Sequence, residues 1–105
     1  MLIGRGEYEM KKIMLVCNAG MSTGMLAKKI EAASDHTLQV SAYSESEYQD
    51  YLQGVDLVLI GPQIRFLKPQ IEAAVDVPVE AISPMKYGIM DGKGVYEDIK
   101  KLIGG

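Results

Sequence analysis

The sequence contains a single cysteine, Cys17, and a single histidine, His36. One cysteine cannot form a disulfide within the chain, and a lone histidine does not make a metal site. We therefore interpret His36 as a solvated turn residue and expect neither a bound metal nor an organic cofactor. A reducing, cytoplasmic location fits this cysteine usage, and it keeps a reactive thiol usable.

Long apolar runs and clustered basic charge are also missing. No run approaches the length of a membrane span, and no basic, apolar and small-residue pattern opens the chain. The net charge of −3 argues against nucleic-acid binding, which needs a basic face. The 105 residues, of which 48% are hydrophobic, suffice for one domain with a single core. Residues 1–9 have no hydrophobic period, so we expect a flexible extension followed by a domain over residues 10–105.

Cys17 follows an apolar run at residues 13–16, which predicts a buried strand over residues 12–16. Apolar residues at helical spacing predict a helix over residues 24–33. In the intervening loop the backbone N–H groups converge, and the helix adds the positive end of its dipole, so an anion is held beside the thiol. This favours a nucleophilic thiolate and predicts a covalent phosphocysteine. The predicted loop consists of Asn18, Ala19, Gly20, Met21, Ser22, Thr23 and Gly24.

Two other interpretations of Cys17, and one of the loop that follows it, come from different protein classes. The cysteine could simply pack at the end of a core strand in a non-catalytic binding module. A redox sensor is disfavoured because the sequence has no second cysteine to resolve an oxidised one. Nucleotide binding is disfavoured because the loop matches neither the Walker A pattern nor the G-x-G-x-x-G pattern.

Strand and helix signals alternate along the rest of the chain. The two almost wholly apolar strands are predicted to be central, whereas an alternating strand and a strand containing Pro78 are predicted at the edges. The sequence thus predicts an α/β fold, a single-domain three-layer sandwich with a four-stranded parallel sheet of order 2-1-3-4 and helices on both faces. That order puts Cys17 at the switch point, where ligands bind. The later predicted strands are 37–43, 55–60 and 77–82.

Local signals predict where the later helices begin and end. Ser44 and Glu47 match a capping box, so a second helix should run to about residue 53 and end at Gly54. A third helix is predicted over residues 64–75, with Pro69 kinking or restarting it. Residues 83–90 are predicted to be a loop, after which Asp91 caps a last helix. That helix has core spacing at Val95, Ile99, Leu102 and Ile103.

Three segments together resemble enzyme IIB of the phosphotransferase system, lactose/cellobiose/diacetylchitobiose family. They are residues 13–23, residues 58–64 followed by Pro69, and residues 87–92 followed by Gly94 and Val95. The segments keep the family's order and spacing over residues 12–103. This combination is far more specific than a cysteine loop alone.

The resemblance implies a cytoplasmic, monomeric phosphoryl carrier whose fold resembles low-molecular-weight tyrosine phosphatases. In the family a cysteine, here Cys17, takes a phosphoryl group from a histidine of enzyme IIA and passes it to a sugar bound by membrane enzyme IIC. The sugar is expected to be a β-disaccharide such as cellobiose, lactose or diacetylchitobiose. The loop from Asn18 would hold the phosphoryl oxygens, and Gln63 and Tyr87 would lie on the partner surface. Arg65 departs from the family's pattern, and this departure affects only the details of the surface that would contact enzyme IIA.

A low-molecular-weight tyrosine phosphatase is the alternative with the most similar chemistry, because it uses a C-x5-R loop on a similar sheet. Here Thr23 occupies the position of that arginine, so the bidentate clamp on the phosphoryl group is missing. No Asp-Pro pair supplies a general acid either. An intermediate that must survive until the next protein arrives should lack both devices, which favours the carrier.

Overall fold

A computed structural model of the chain describes residues 11–18 and 20–103. The predicted extension over residues 1–9, Ala19 of the predicted loop, and Gly104 and Gly105 lie outside the described residues. No helix in the described part of the chain is long and apolar enough to cross a membrane. The strands are β1 (Lys11–Cys17), β2 (Leu38–Ser44), β3 (Leu57–Ile60) and β4 (Val79–Ala81); the α-helices are α1 (Gly20–Ala33), α2 (Lys68–Ala74), α3 (Pro84–Gly88) and α4 (Gly92–Ile103); and 3₁₀ segments span Tyr48–Tyr51 and Pro62–Leu67.

The four strands form one parallel sheet in the order β2-β1-β3-β4, which confirms the predicted topology. Within β1 and β3, residues 13–17 and 57–60 are buried, as expected of central strands. β2 and β4 lie at the edges. Pro78 stands just before β4, where its missing N–H interrupts no bond within the strand.

Side chains along β1 alternate between two cores, one on each face of the sheet. Ile13 and Leu15 pack under α1 and α4, whereas Met14 and Val16 pack under α2 and the 3₁₀ segments. This alternation produces the predicted three layers. The first core comprises Ile13, Leu15, Leu26, Ala27, Ile30, Leu38, Val40, Leu57, Leu59, Ile82, Val95 and Ile99, and the second comprises Met14, Val16, Tyr48, Val55, Val58, Ile60, Ile64, Ile71 and Val79.

The predicted second helix is wrong, because residues 44–53 contain only the 3₁₀ segment Tyr48–Tyr51. Ser44 is the last residue of β2, and its N–H donates to Glu47 Oε2 at 3.1 Å, which is one half of the capping box. The other half is absent, since the Ser44 hydroxyl bonds to the Ser46 hydroxyl at 2.9 Å. A tight turn therefore forms in place of a helix, and buried Tyr48 anchors it on the second core.

The segment after β3 restarts beside Pro69, which is one of the two predicted options, although Pro69 is the second helical residue and not the first. The chain turns first in the 3₁₀ segment Pro62–Leu67, two residues earlier than predicted, and α2 begins at Lys68. Pro69 then lies in the first turn of α2, where its missing N–H has no partner within the helix.

The predicted loop over residues 83–90 is wrong, since it contains the short helix α3. Ser83 is its N-cap and accepts a hydrogen bond from the Lys86 N–H at 3.4 Å, and Pro84 follows at the first helical position. Asp91 caps α4 as predicted, because its Oδ1 accepts from the Gly94 N–H at 2.9 Å. In α4 Val95 and Ile99 are buried and Ile103 packs beside them, but the prediction for Leu102 is wrong, because it is exposed.

The helices α1 and α4 meet so closely at Gly92 that a side chain there has no room. A Cβ at this position would lie 2.6 Å from the backbone carbonyl carbon of Lys29. We expect Gly92→Ala to lower the free energy of unfolding by about 1–3 kcal/mol, because the backbone of α1 must move. Urea unfolding measures the change.

Gly24→Ala is the matched control for this substitution. A Cβ on Gly24 meets nothing within 4 Å, and Gly24 lies within α1. Alanine there should raise the free energy of unfolding by about 0.5–1 kcal/mol, since it restricts the unfolded chain. Equal stability of the Gly92→Ala variant and the unaltered protein would show that the helices can separate without cost.

Candidate functional site

Cys17 is the last residue of β1 and lies where three strands end. Its carbonyl accepts a hydrogen bond from the Glu45 N–H at 3.0 Å, beyond β2, and the Val16 carbonyl accepts from the Gly61 N–H at 2.8 Å, beyond β3. These bonds fix the cysteine at the carboxyl edge of the sheet, between β2 and β3. This is the switch point that the sequence predicted.

The first helix begins four residues earlier than predicted, so the predicted loop is mostly helical. Asn18 is an exposed bend residue, and Gly20 to Gly24 form the first turns of the 14-residue helix α1. Ala19 and the side chains of residues 20–22 lie outside the described part. Small residues permit a tight loop without requiring one, and here helix formation prevails. The predicted anion cradle accordingly corresponds to the amino end of α1, whose first N–H groups have no acceptor within the helix.

Thr23 directs its hydroxyl at the cysteine from α1. Its Oγ1 donates a hydrogen bond to Cys17 Sγ at 2.7 Å, and both residues are buried, with 1% of each exposed. Tyr87 reaches the same place from α3, with its phenolic oxygen 3.0 Å from Thr23 Oγ1 and 4.0 Å from Cys17 Sγ. Three elements thus bring a thiol and two hydroxyl groups together.

Gly61 allows the turn after β3 to pass beside the cysteine. A Cβ on Gly61 would lie 3.1 Å from Cys17 Cβ and 2.9 Å from Gln63 Oε1. The exposed side chain of Gln63 therefore folds back toward the turn that borders Cys17. The structure brings Gln63 to the rim of the site.

The two predicted partner-surface residues differ in their surroundings. Gln63 is exposed, whereas Tyr87 is half-buried and turns its hydroxyl inward to Thr23. Two exposed apolar side chains lie on the same segments, Phe66 at 74% and Met85 at 75% exposure. Sequence analysis missed this pair: Phe66 stands beside Leu67 and two residues after the buried Ile64, so nothing in the pattern marks it as exposed.

His36 lies in the turn between α1 and β2, with a φ of 62° and an exposed side chain. This confirms its interpretation as a turn residue. Within residues 11–18 and 20–103, no group of three or more His, Cys, Asp or Glu side chains is placed to hold a metal ion.

Known proteins resemble this chain in both sequence and fold. The sequence model of the family described as "PTS system, Lactose/Cellobiose specific IIB subunit" matches residues 12–98. The oligo-beta-mannoside-specific EIIB component of Bacillus subtilis is 36% identical over 100 residues, covering 90% of this chain and 97% of the relative. The cellobiose-specific EIIB component of Lactococcus lactis is 33% identical over 104 residues, covering 89% of this chain and 96% of the relative.

A solved structure shares the fold. The lactose-specific IIB component domain from Streptococcus pneumoniae superimposes with a TM-score of 0.78 and covers 90% of this chain and 98% of that domain. Its sequence identity is 14%, so this likeness supports the architecture alone.

Proposed function

The chain belongs to the lactose/cellobiose-specific IIB family of the phosphotransferase system, and from this premise we propose that it carries a phosphoryl group on Cys17. The position of Cys17 carries the proposal: the one cysteine of the sequence ends a central strand at the switch point. The amino end of α1 follows, and a buried hydroxyl donates to the sulfur. This combination suits a nucleophilic thiolate and the oxyanions of a phosphoryl group.

Two transfers make up the proposed reaction. In the first, the electron pair of the Cys17 thiolate forms an S–P bond to the phosphoryl group on a histidine of enzyme IIA. The N–P bond breaks, and the histidine nitrogen keeps its electron pair. In the second, a hydroxyl oxygen of the sugar bound to enzyme IIC forms an O–P bond while the S–P bond breaks. The sulfur leaves as thiolate, and the hydroxyl proton passes to water.

We assign the remaining residues by their positions in the sequence relative to Cys17 and, for Thr23, Gln63 and Tyr87, by their described places near it. Asn18, Ala19, Gly20, Met21, Ser22, Thr23 and Gly24 would hold the phosphoryl oxygens, chiefly through backbone N–H groups. Gln63 and Tyr87 would contact the protein partners, and so would Phe66 and Met85, which are exposed on the same two segments. Residues 10–105 would constitute the functional domain, a cytoplasmic monomer, with residues 1–9 outside it.

The sugar would be a β-disaccharide selected by enzyme IIC. Two relatives that each align over most of this chain are named for different sugars, one for oligo-β-mannoside and the other for cellobiose. That difference in named sugar fits a carrier whose own site holds only the phosphoryl group.

Incubation with phosphorylated enzyme IIA tests the proposal. We expect one phosphate per chain, located on Cys17 by peptide mapping and released by iodine or acid, as a thiophosphate ester is. Unphosphorylated enzyme IIA is the control and should transfer nothing. Phosphate on another residue, or no phosphate at all, would overturn the assignment.

A further inference from the structure

We propose that Tyr87 is a positioning residue for the cysteine sulfur and that it acts through Thr23. The inference rests on the proposed role of Cys17 and adds a residue from α3, 70 positions further along the chain. The geometry defines a chain of three groups in the order Tyr87 hydroxyl, Thr23 hydroxyl and Cys17 sulfur.

The direction of the hydrogen bonds follows from counting protons. A hydroxyl group has one hydrogen to donate, and that of Thr23 is directed at Cys17 Sγ, 2.7 Å away. The 3.0 Å contact between Thr23 and Tyr87 must then be donated by the tyrosine. Both bonds therefore point toward the sulfur, and each polarises the other in the same sense.

The surroundings make this chain effective. Thr23 and Cys17 are each 1% exposed, so water competes little for their hydrogen bond. The Tyr87 ring packs against the first core, which fixes where its hydroxyl lies. Ser83 caps α3 at one end, and Lys86 Nζ lies 2.7 Å from Asp98 Oδ2 of α4. The tyrosine is consequently held by packing as well as by its own hydrogen bond.

A donor aimed at sulfur stabilises the thiolate, which is both the nucleophile and the leaving group of the proposed reaction. Charge develops on sulfur when the S–P bond breaks, and a preorganised donor stabilises that charge. Thr23 supplies the donor directly. Tyr87 holds the Thr23 hydroxyl in the productive orientation and increases its polarity.

Alkylation of Cys17 by iodoacetamide tests the chain of hydroxyls without any partner protein. The sulfur forms an S–C bond, and iodide leaves with its electron pair. Because the thiolate is the nucleophile, the rate at each pH measures the fraction of Cys17 that is present as thiolate. In Thr23→Val we expect the pH profile to move to higher pH, with alkylation below the midpoint slowed about tenfold, the size of one lost hydrogen bond to a charged group. In Tyr87→Phe we expect a shift in the same direction but smaller, with alkylation below the midpoint slowed about threefold.

The double variant gives the decisive readout. If Tyr87 acts through Thr23, Tyr87→Phe has no further effect in the Thr23→Val background, as a double-mutant cycle reveals. Thr23→Ser keeps the donor and should restore most of the profile. Tyr96→Phe, which removes the hydroxyl of a half-buried tyrosine on α4, is the matched control and should leave the profile unchanged.

Two results would overturn the inference. One is an unchanged profile in folded Tyr87→Phe, with folding checked by urea unfolding. The other is a further slowing of the Thr23→Val variant by Tyr87→Phe, which would mean that the tyrosine acts on sulfur directly. Neither depends on the carrier role, whereas phosphate on a residue other than Cys17 would overturn that role and leave the alkylation result standing.

Discussion

Cys17→Ser is expected to fold and yet to accept no stable phosphate from enzyme IIA. A serine hydroxyl is far less acidic than a thiol, so almost no oxyanion is present at neutral pH to attack the phosphorus. Removal of an enzyme's nucleophile costs several orders of magnitude in rate, and we expect a loss of that size here. Mass spectrometry of the protein after incubation with phosphorylated enzyme IIA measures it.

Folding should survive because the change is small and its partners remain. A serine oxygen can still accept the hydrogen bond that Thr23 Oγ1 now donates to the buried sulfur. Thr37→Ser, a conservative change in the exposed turn before β2, is the control and should be phosphorylated normally. Full phosphorylation of folded Cys17→Ser would refute the assignment of the nucleophile.

The sheet could be predicted because its signals are local and strong. Residues 13–16 and 57–60 are apolar without interruption, as expected of strands covered on both faces, and they proved to be central. The alternation in β2 and Pro78 before β4 indicated the edges. Once two strands are central and two are edges, few parallel orders remain, and the observed order is one of them.

The short elements could not be predicted from the same signals. Residues 44–53 contain a capping pattern, but their apolar side chains do not recur over enough turns to pack a helix on the sheet. Conversely, α3 has five residues and no period, so only Ser83 and Pro84 at its start could have indicated it.

The candidate site likewise has one part that the sequence predicts and one part that it does not. The place of Cys17 follows from strand order, which the sequence contains. The contact between Thr23 and Tyr87 joins residues 64 positions apart and depends on how Tyr87 packs against the first core. That packing is set by tertiary contacts, so the spacing of the residues in the sequence does not reveal it.

We expect the pure protein not to hydrolyse p-nitrophenyl phosphate. Phosphatases of the C-x5-R type hold the phosphoryl group with an arginine fork, and here Thr23 stands at that position and donates to the sulfur. The sequence has two arginines, Arg5 and Arg65. Arg65 is exposed on the 3₁₀ segment after β3, outside the segment that follows Cys17.

Hydrolysis also needs a proton donor for the leaving group and a base for water. The sequence has no Asp-Pro pair to supply the acid of that phosphatase class, and loss of acid–base catalysis alone lowers rates by about 10²–10⁴-fold. The phosphocysteine should therefore persist at neutral pH for much longer than the interval between partner encounters, and both its formation and its loss should require partner proteins.

Two measurements test this expectation with the same preparation. Release of p-nitrophenol should not exceed that of Cys17→Ser, which controls for contaminating phosphatases, and phosphate on the wild-type protein should remain after enzyme IIA is removed. Sustained turnover that Cys17→Ser abolishes would favour the phosphatase over the carrier. Rapid loss of phosphate without enzyme IIC would point the same way, because the site would then admit and activate water without an arginine or a general acid.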